Sequence, residues 1–181
     1  MLIHTSRAQP IMRTLFPLLH RSMTASLLLV CGSALAVETN WPMAPKLIEL
    51  PTPYGTLAVG ESEYVYEARL HLDGTQIEPQ ITGMLNISYA FSMRESQAAL
   101  VAISKGNDAC PVSYRWVVLR ADGYQVSPEF GSCSEHIRVS ADAKRLTLQT
   151  PSRETPGALD TYVYDGKTVT QRTGKEKEKR K

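Results

Sequence analysis

Two cysteines, a histidine and several serines fall close together between Gly106 and Ile137, and these are the residues whose types could do chemistry. Cys110 and Cys133 can pair as a disulfide. His136, beside Ser132, Ser134 and Glu135, has the residue types of a nucleophile and its base. A hydroxyl is activated only when a base is held within hydrogen-bond reach, and neighbours along one loop seldom meet that geometry. No G-x-S-x-G elbow supports a triad. His71 falls on the polar side of an alternating stretch. Zinc is held mainly by clustered cysteines and histidines, and beyond residue 36 the chain offers only two histidines and no C-x-x-C spacing. There is no P-loop and no G-x-G-x-x-G. The expectation is a chain without a cofactor and without catalysis, an enzyme being the weakest of three readings.

Whether the cysteines pair depends on the compartment, and the N-terminus speaks to that. Ala25–Val30 is a short uncharged apolar run preceded by basic residues, and Ala34-Leu35-Ala36 follows with small residues where a signal peptidase reads them. Residues 1–36 are therefore expected to be an export signal, cleaved between Ala36 and Val37. Met12 gives that signal more ordinary proportions than Met1. The apolar run is well short of the roughly 20 residues of a spanning helix, so no transmembrane segment is expected after processing. Cys31 offers a lipoprotein alternative, but Val30 stands where that signal prefers a small residue. In an oxidising compartment the two remaining cysteines, Cys110 and Cys133, have one pairing open to them. Two free buried thiols are the alternative.

Charge narrows the partners. The chain carries 20 bases and 18 acids, but residues 1–36 hold three arginines and no acid, and residues 175–181 hold five bases and two acids. What lies between counts 12 bases and 16 acids, mildly acidic and unsuited to nucleic acid.

The elements that would position these residues read as strands. Residues 37–62, with Pro42, Pro45, Pro51 and Pro53, predict an extended lead-in with at most one short strand near 46–50, anchored by Trp41 and Ile48. Residues 63–173 read as one β-rich domain. Alternation over Glu63–Leu72 puts Tyr64, Tyr66, Ala68, Leu70 and Leu72 on one side, and Asp73-Gly74 turns the chain. Leu85, Ile87, Tyr89, Phe91 and Met93 alternate in the same way. Ala98–Ser104 is apolar throughout and suits a buried central strand. Val112–Arg120 and Tyr124–Ser127 flank Ala121-Asp122-Gly123, and two further hairpins follow around residues 141–144 and Asp165-Gly166. The fold class is all-β and antiparallel, either a sandwich or a strongly curled meander. Residues 174–181 are expected to be a solvated charged tail.

A three-residue loop at Ala121-Asp122-Gly123 would set Arg120 opposite Tyr124. Cys110 and Cys133 then fall almost opposite one another, one residue out of step, which a bulge at Pro128 or Gly131 would absorb. The bridge would pin Pro128–Ser132 and present Glu129 and Phe130 as a candidate binding loop, with Tyr114, Arg115 and Trp116 behind it. The competing expectation is that Phe130 tucks into the core and Arg115 pairs inside the fold. Cys110-Pro111-Val112-Ser113-Tyr114-Arg115 and Ser127-Pro128-Glu129-Phe130-Gly131-Ser132-Cys133-Ser134 resemble a pattern in small exported Gram-negative bacterial proteins of unassigned function. The resemblance implies export and a disulfide, and carries no activity. The functional expectation is a periplasmic or secreted protein-binding module, with an inhibitor or immunity-type protein its sharpest form. The alternative is an envelope structural or accessory protein.

Overall fold

A computed structural model describes residues 41–64, 66–106 and 108–175. Residues 1–36, expected to be an export signal, with Cys31 and the expected cleavage point at Ala36 and Val37, lie outside the described residues, as do residues 176–181.

The described chain is all-β and antiparallel, and it forms three four-stranded meanders in succession. The first comprises β1 (Glu49–Thr52), β2 (Gly55–Val59), β3 (Leu70–Leu72) and β4 (Thr75–Gln76). The second comprises β5 (Met84–Met93), β6 (Ser96–Ser104), β7 (Ser113–Arg120) and β8 (Gly123–Val126). The third comprises β9 (Arg138–Ala141), β10 (Leu146–Pro151), β11 (Ala158–Tyr164) and β12 (Val169–Lys175). In each meander every strand pairs with its sequence neighbour.

The second sheet is the middle layer of a sandwich, because both its faces are covered. Side chains alternate across a strand. Ala98, Leu100 and Ala102 of β6 therefore meet Leu146, Leu148, Tyr162 and Tyr164 of the third sheet. Ala99, Val101 and Ile103 meet Leu57, Leu70, Ile77 and Ile81 on the other side. A strand buried on both faces reads as an unbroken apolar run, which is why the 98–104 stretch shows no alternation.

Four expectations are corrected. Residues 37–62 hold two strands rather than at most one. Pro51 sits on β1, the edge of its sheet, where a missing N–H leaves no ladder bond unmade. The Ile48 side chain is 70 % exposed and belongs to neither core cluster, whereas Trp41 lies under the Arg138 guanidinium, 4.3 Å from its ring centre. The alternating stretch from Glu63 becomes a strand only at Leu70. Its partner β2 ends at Val59, the last ladder-side contact being Gly60 N–H to Arg69 C=O, so Tyr64 and Tyr66 pair with no described strand and stay exposed. Gly174 and Lys175 extend β12 and pair with Leu159 and Ala158, so the tail begins later than composition suggests.

The β5 alternation is real, but its face changes. Ile87 pairs with Val101 and Tyr89 with Leu100, leaving Ser88 as an extra residue. Such a bulge reverses the parity. Leu85 and Ile87 pack into one core, while Tyr89, Phe91 and Met93 pack against the other. At the β3–β4 turn, Asp73 and Gly74 both have positive φ (48° and 78°), the two-residue geometry that Asp-Gly favours.

Candidate functional site

The β7–β8 hairpin carries most of the residues singled out from sequence. Its turn is two residues, Ala121-Asp122, with Arg120 opposite Gly123 rather than Tyr124. That register continues to Ser127, whose N–H donates to Trp116 C=O at 2.9 Å. Pro128 then interrupts it. The next pairing is Tyr114 with Phe130 in both directions, at 2.8 and 2.9 Å, so one extra residue falls at Pro128-Glu129. Proline has no N–H, and the Ser127 hydroxyl fills the gap. It accepts from Trp116 N–H and donates to Pro128 C=O, which explains a serine only 1 % exposed.

At the far end of this hairpin Cys110 and Cys133 form a disulfide with Cα atoms 4.7 Å apart. Gly131, at φ 128°, lets the chain turn toward it. A Cβ there would stand 3.0 Å from the Tyr114 ring. The candidate loop is not an aromatic tip. Phe130 is 8 % exposed, packed on Tyr162 (ring centres 5.4 Å) and Tyr114 (6.4 Å). Tyr114 and Trp116 are buried, and Tyr114 donates its hydroxyl to Ser134 C=O at 2.9 Å. Burial holds the Tyr114 phenol well above its usual range, with the Glu135 and Tyr89 charges adding to it. The Trp116 indole N–H has no hydrogen-bond partner among the described residues.

Glu129 and Arg115 stay at the surface and belong to one network. Glu129 accepts from Lys105 Nζ (2.8 and 3.0 Å) and from the Ser113 hydroxyl (2.7 Å), with Arg115 at 3.8 Å. Arg115 also donates to Ser127 C=O at 3.2 Å. Partial burial works to raise the Glu129 carboxyl, but the hydrogen bonds from Lys105 and Ser113 and the two cationic charges outweigh it and hold it below the usual range. A lowered native pKa adds stability above the unfolded value and loses it as pH falls. Glu129→Gln should therefore cost about 1 kcal/mol near neutrality. The gap from the natural protein should close as pH drops below about 4.5. Urea unfolding of both proteins across that range checks it, and a gap that widens in acid contradicts it.

Among the described residues the His136 ring makes no hydrogen bond to Ser132 or Ser134. Ser132 donates to Pro151 C=O at 2.8 Å, and Ser134 Oγ accepts from the backbone N–H of His136, so both hydroxyls are engaged in shaping the loop. The His136 ring lies by Trp41 instead, with centres 6.4 Å apart. His71 is on β3, between Ala58 and Gln76. Among the described residues no three His, Cys, Asp or Glu side chains are grouped to hold a metal. No described helix is long and apolar enough to cross a membrane.

Sequence reading missed a second site at the opposite end of β7. In a meander the first and third turns lie at the same end. The turns Arg94-Glu95, Ala121-Asp122, Ala143-Lys144 and Asp165-Gly166 thus come together, joined by Tyr54 from the β1–β2 turn. They surround an open cleft of about 830 Å³ floored by Met93, Val118, Leu146 and Tyr164. That volume lies within the range of small-ligand and peptide sites. Burial raises the Tyr164 phenol above its usual range, partly opposed by the Arg120 charge. Arg120 donates to Gln125 at 2.7 Å. Asp165 accepts from the Thr168 and Lys167 backbone N–H groups, which hold its carboxyl low. Arg94, Glu95, Asp122 and Lys144 make no side-chain hydrogen bond or ion pair with the described residues. Each turn is legible by itself in the sequence, but their convergence is a property of topology.

No family model, curated protein or solved structure matches this chain.

Proposed function

We propose that the chain is a protein-binding module of the periplasm or the secreted fraction, and that the cleft between the hairpin turns is where it binds. The observation that carries this reading is the ring of charges with no partner among the described residues, Arg94, Glu95, Asp122 and Lys144, set around an apolar floor. Charged side chains pay a desolvation penalty when a surface is covered, so protein interfaces keep them at a polar rim around an apolar centre. Turns from all three sheets hold this rim, and a rigid scaffold lowers the ordering entropy of association. An inhibitor or immunity-type role toward a secreted hydrolase is the form of this function that best suits an open cleft with a charged rim. The disulfide supports export.

The test compares the natural protein with Arg94→Glu/Lys144→Glu, after circular dichroism shows equal folding. Both are titrated by calorimetry against a soluble partner purified from the exported fraction. Reversing two rim charges should weaken the complex tenfold or more, since like charges across an interface cost several kcal/mol. Equal affinity for both proteins would overturn the assignment of the cleft. Sedimentation with membrane or peptidoglycan, in place of a soluble partner, would favour an envelope accessory role.

A further inference from the structure

The side of the sandwich formed by β5 is open in a way the other sheet edges are not. An exposed strand edge offers unpaired N–H and C=O groups to any other chain, and proteins guard such edges with charge, proline or shortness. Here β1 carries Glu49 and Pro51, β4 has two residues, β8 and β9 have four each, and β12 carries Arg172 and Lys175. The remaining edge, β5, is ten residues long, MLNISYAFSM, without a charge or a proline. A long neutral β-forming segment of this kind is an association hazard unless something covers it.

The described residues cover only part of it. Residues 41–48 form a strap that runs from Trp41, against Arg138 of β9, to Leu47, which pairs with Ile87 in both directions at 3.1 and 2.7 Å. Ile87 therefore points its peptide groups away from β6. Past the extra residue at Ser88, alternation turns those of Ala90 and Ser92 outward, and no described residue bonds to them. Both residues are exposed. Apolar side chains gather on the same side. Leu47 is 46 % exposed, Ile48 70 % and Met84 47 %.

We infer that this edge binds a second copy of the chain, β5 pairing antiparallel with β5 across a twofold axis at Phe91. A twofold interface must be complementary to itself. This one is, since Ala90 meets Ser92 of the second copy and no charge confronts its like along the strand. The window is limited to residues 89–93, because the strap holds the edge at Ile87. The Arg94-Glu95 turn of each copy then abuts the strap of the other, next to exposed Lys46, which gives Glu95 an opposite charge and covers Leu47. Neither Lys46 nor Glu95 has an ion-pair partner among the described residues. The two middle sheets become one sheet of eight strands.

Sedimentation equilibrium of the folded protein across the micromolar range tests this, and its readout is independent of any cleft ligand. The expected result is a reversible monomer–dimer equilibrium. Ala90→Pro and Ser92→Pro each remove an outward N–H that β6 does not use, and each should raise the dissociation constant about tenfold. Lys46→Glu, at an exposed position and safe for folding, should weaken the dimer, and adding Glu95→Lys in the same chain should restore it. A protein that is monomeric throughout overturns the proposal. So does a dimer indifferent to both the prolines and the charge exchange, which would place the contact elsewhere.

Discussion

Cys110→Ser or Cys133→Ser should lower the melting temperature by about 10 °C. The bridge spans a sequence separation of 23. In the chain-entropy account, closing a loop of that size removes about 3 kcal/mol of freedom from the unfolded chain. For a domain of this size each kcal/mol is about 3–4 °C. The location makes the effect local as well as global. The long connections of the sandwich, residues 105–112 and 127–137, meet at this end. Apart from the Ser127–Trp116 bond and the Tyr114–Phe130 bridge, their described residues make no ladder bonds, and the disulfide ties one connection to the other. Through it Ser132, bonded to Pro151 and Thr150, and Arg153, bonded to Ala109 C=O, hold the third sheet against the second. Cys133 also has φ 63°, a left-handed conformation that costs a non-glycine residue about 1–2 kcal/mol. Cys133→Gly should therefore melt above Cys133→Ser, because glycine relieves that strain although both lose the bridge. Thermal unfolding with and without reductant decides it. If reductant leaves the natural protein's melting unchanged, the bridge is not a stabilising element.

What the sequence made legible follows from how locally each signal is encoded. Asp73-Gly74 and Asp165-Gly166 announce turns because the turn depends on two or three residues alone. Ala98–Ser104 announces a central strand because burial on both faces demands apolar residues without interruption. The failures are of another kind. Tyr64 and Tyr66 have strand-forming neighbours and correct alternation, yet no described strand pairs with them, and pairing is decided by where β2 ends. Pro51 looked like a strand breaker, but an edge strand tolerates it. Ser88 carries no mark of a bulge, although one residue there sends Phe91 and Ile87 to opposite cores. The one-residue mismatch at Ala121-Asp122 moved the expected register. The interruption at Pro128 was nevertheless visible, because proline cannot donate. The cleft was invisible for the same reason as the missing strand. Arg94, Asp122, Lys144 and Asp165 are 20 to 30 residues apart in the chain, roughly the span of a hairpin and its return. Only the meander brings them together.

Sequence left two expectations open for Phe130, docking loop or core, and its burial in the core yields the second large effect. As a docking residue its removal would weaken a complex and leave the fold alone. In the structure Phe130→Ala should instead lower stability by about 3–4 kcal/mol, the usual loss for a buried phenylalanine. The ring is wedged between Tyr114 and Tyr162, where the second and third sheets meet. The backbone bonds between Tyr114 and Phe130 do not involve the side chain, so the register survives and a cavity is left. Tyr162 reports on that cavity. Burial, with the Asp160 and Glu154 charges adding to it, pushes its phenol up to about 12 from 10.0. A raised native pKa means stability that is whole below pH 10 and is lost as pH climbs toward 12. Water entering the space left by Phe130 would ease the burial, bring the Tyr162 pKa down and flatten that alkaline loss. Phenolate absorbance during an alkaline titration follows the pKa, and urea unfolding follows the stability. A Phe130→Ala protein that keeps its natural stability but loses partner binding would return this residue to the docking role, the other of the two expectations its sequence allowed.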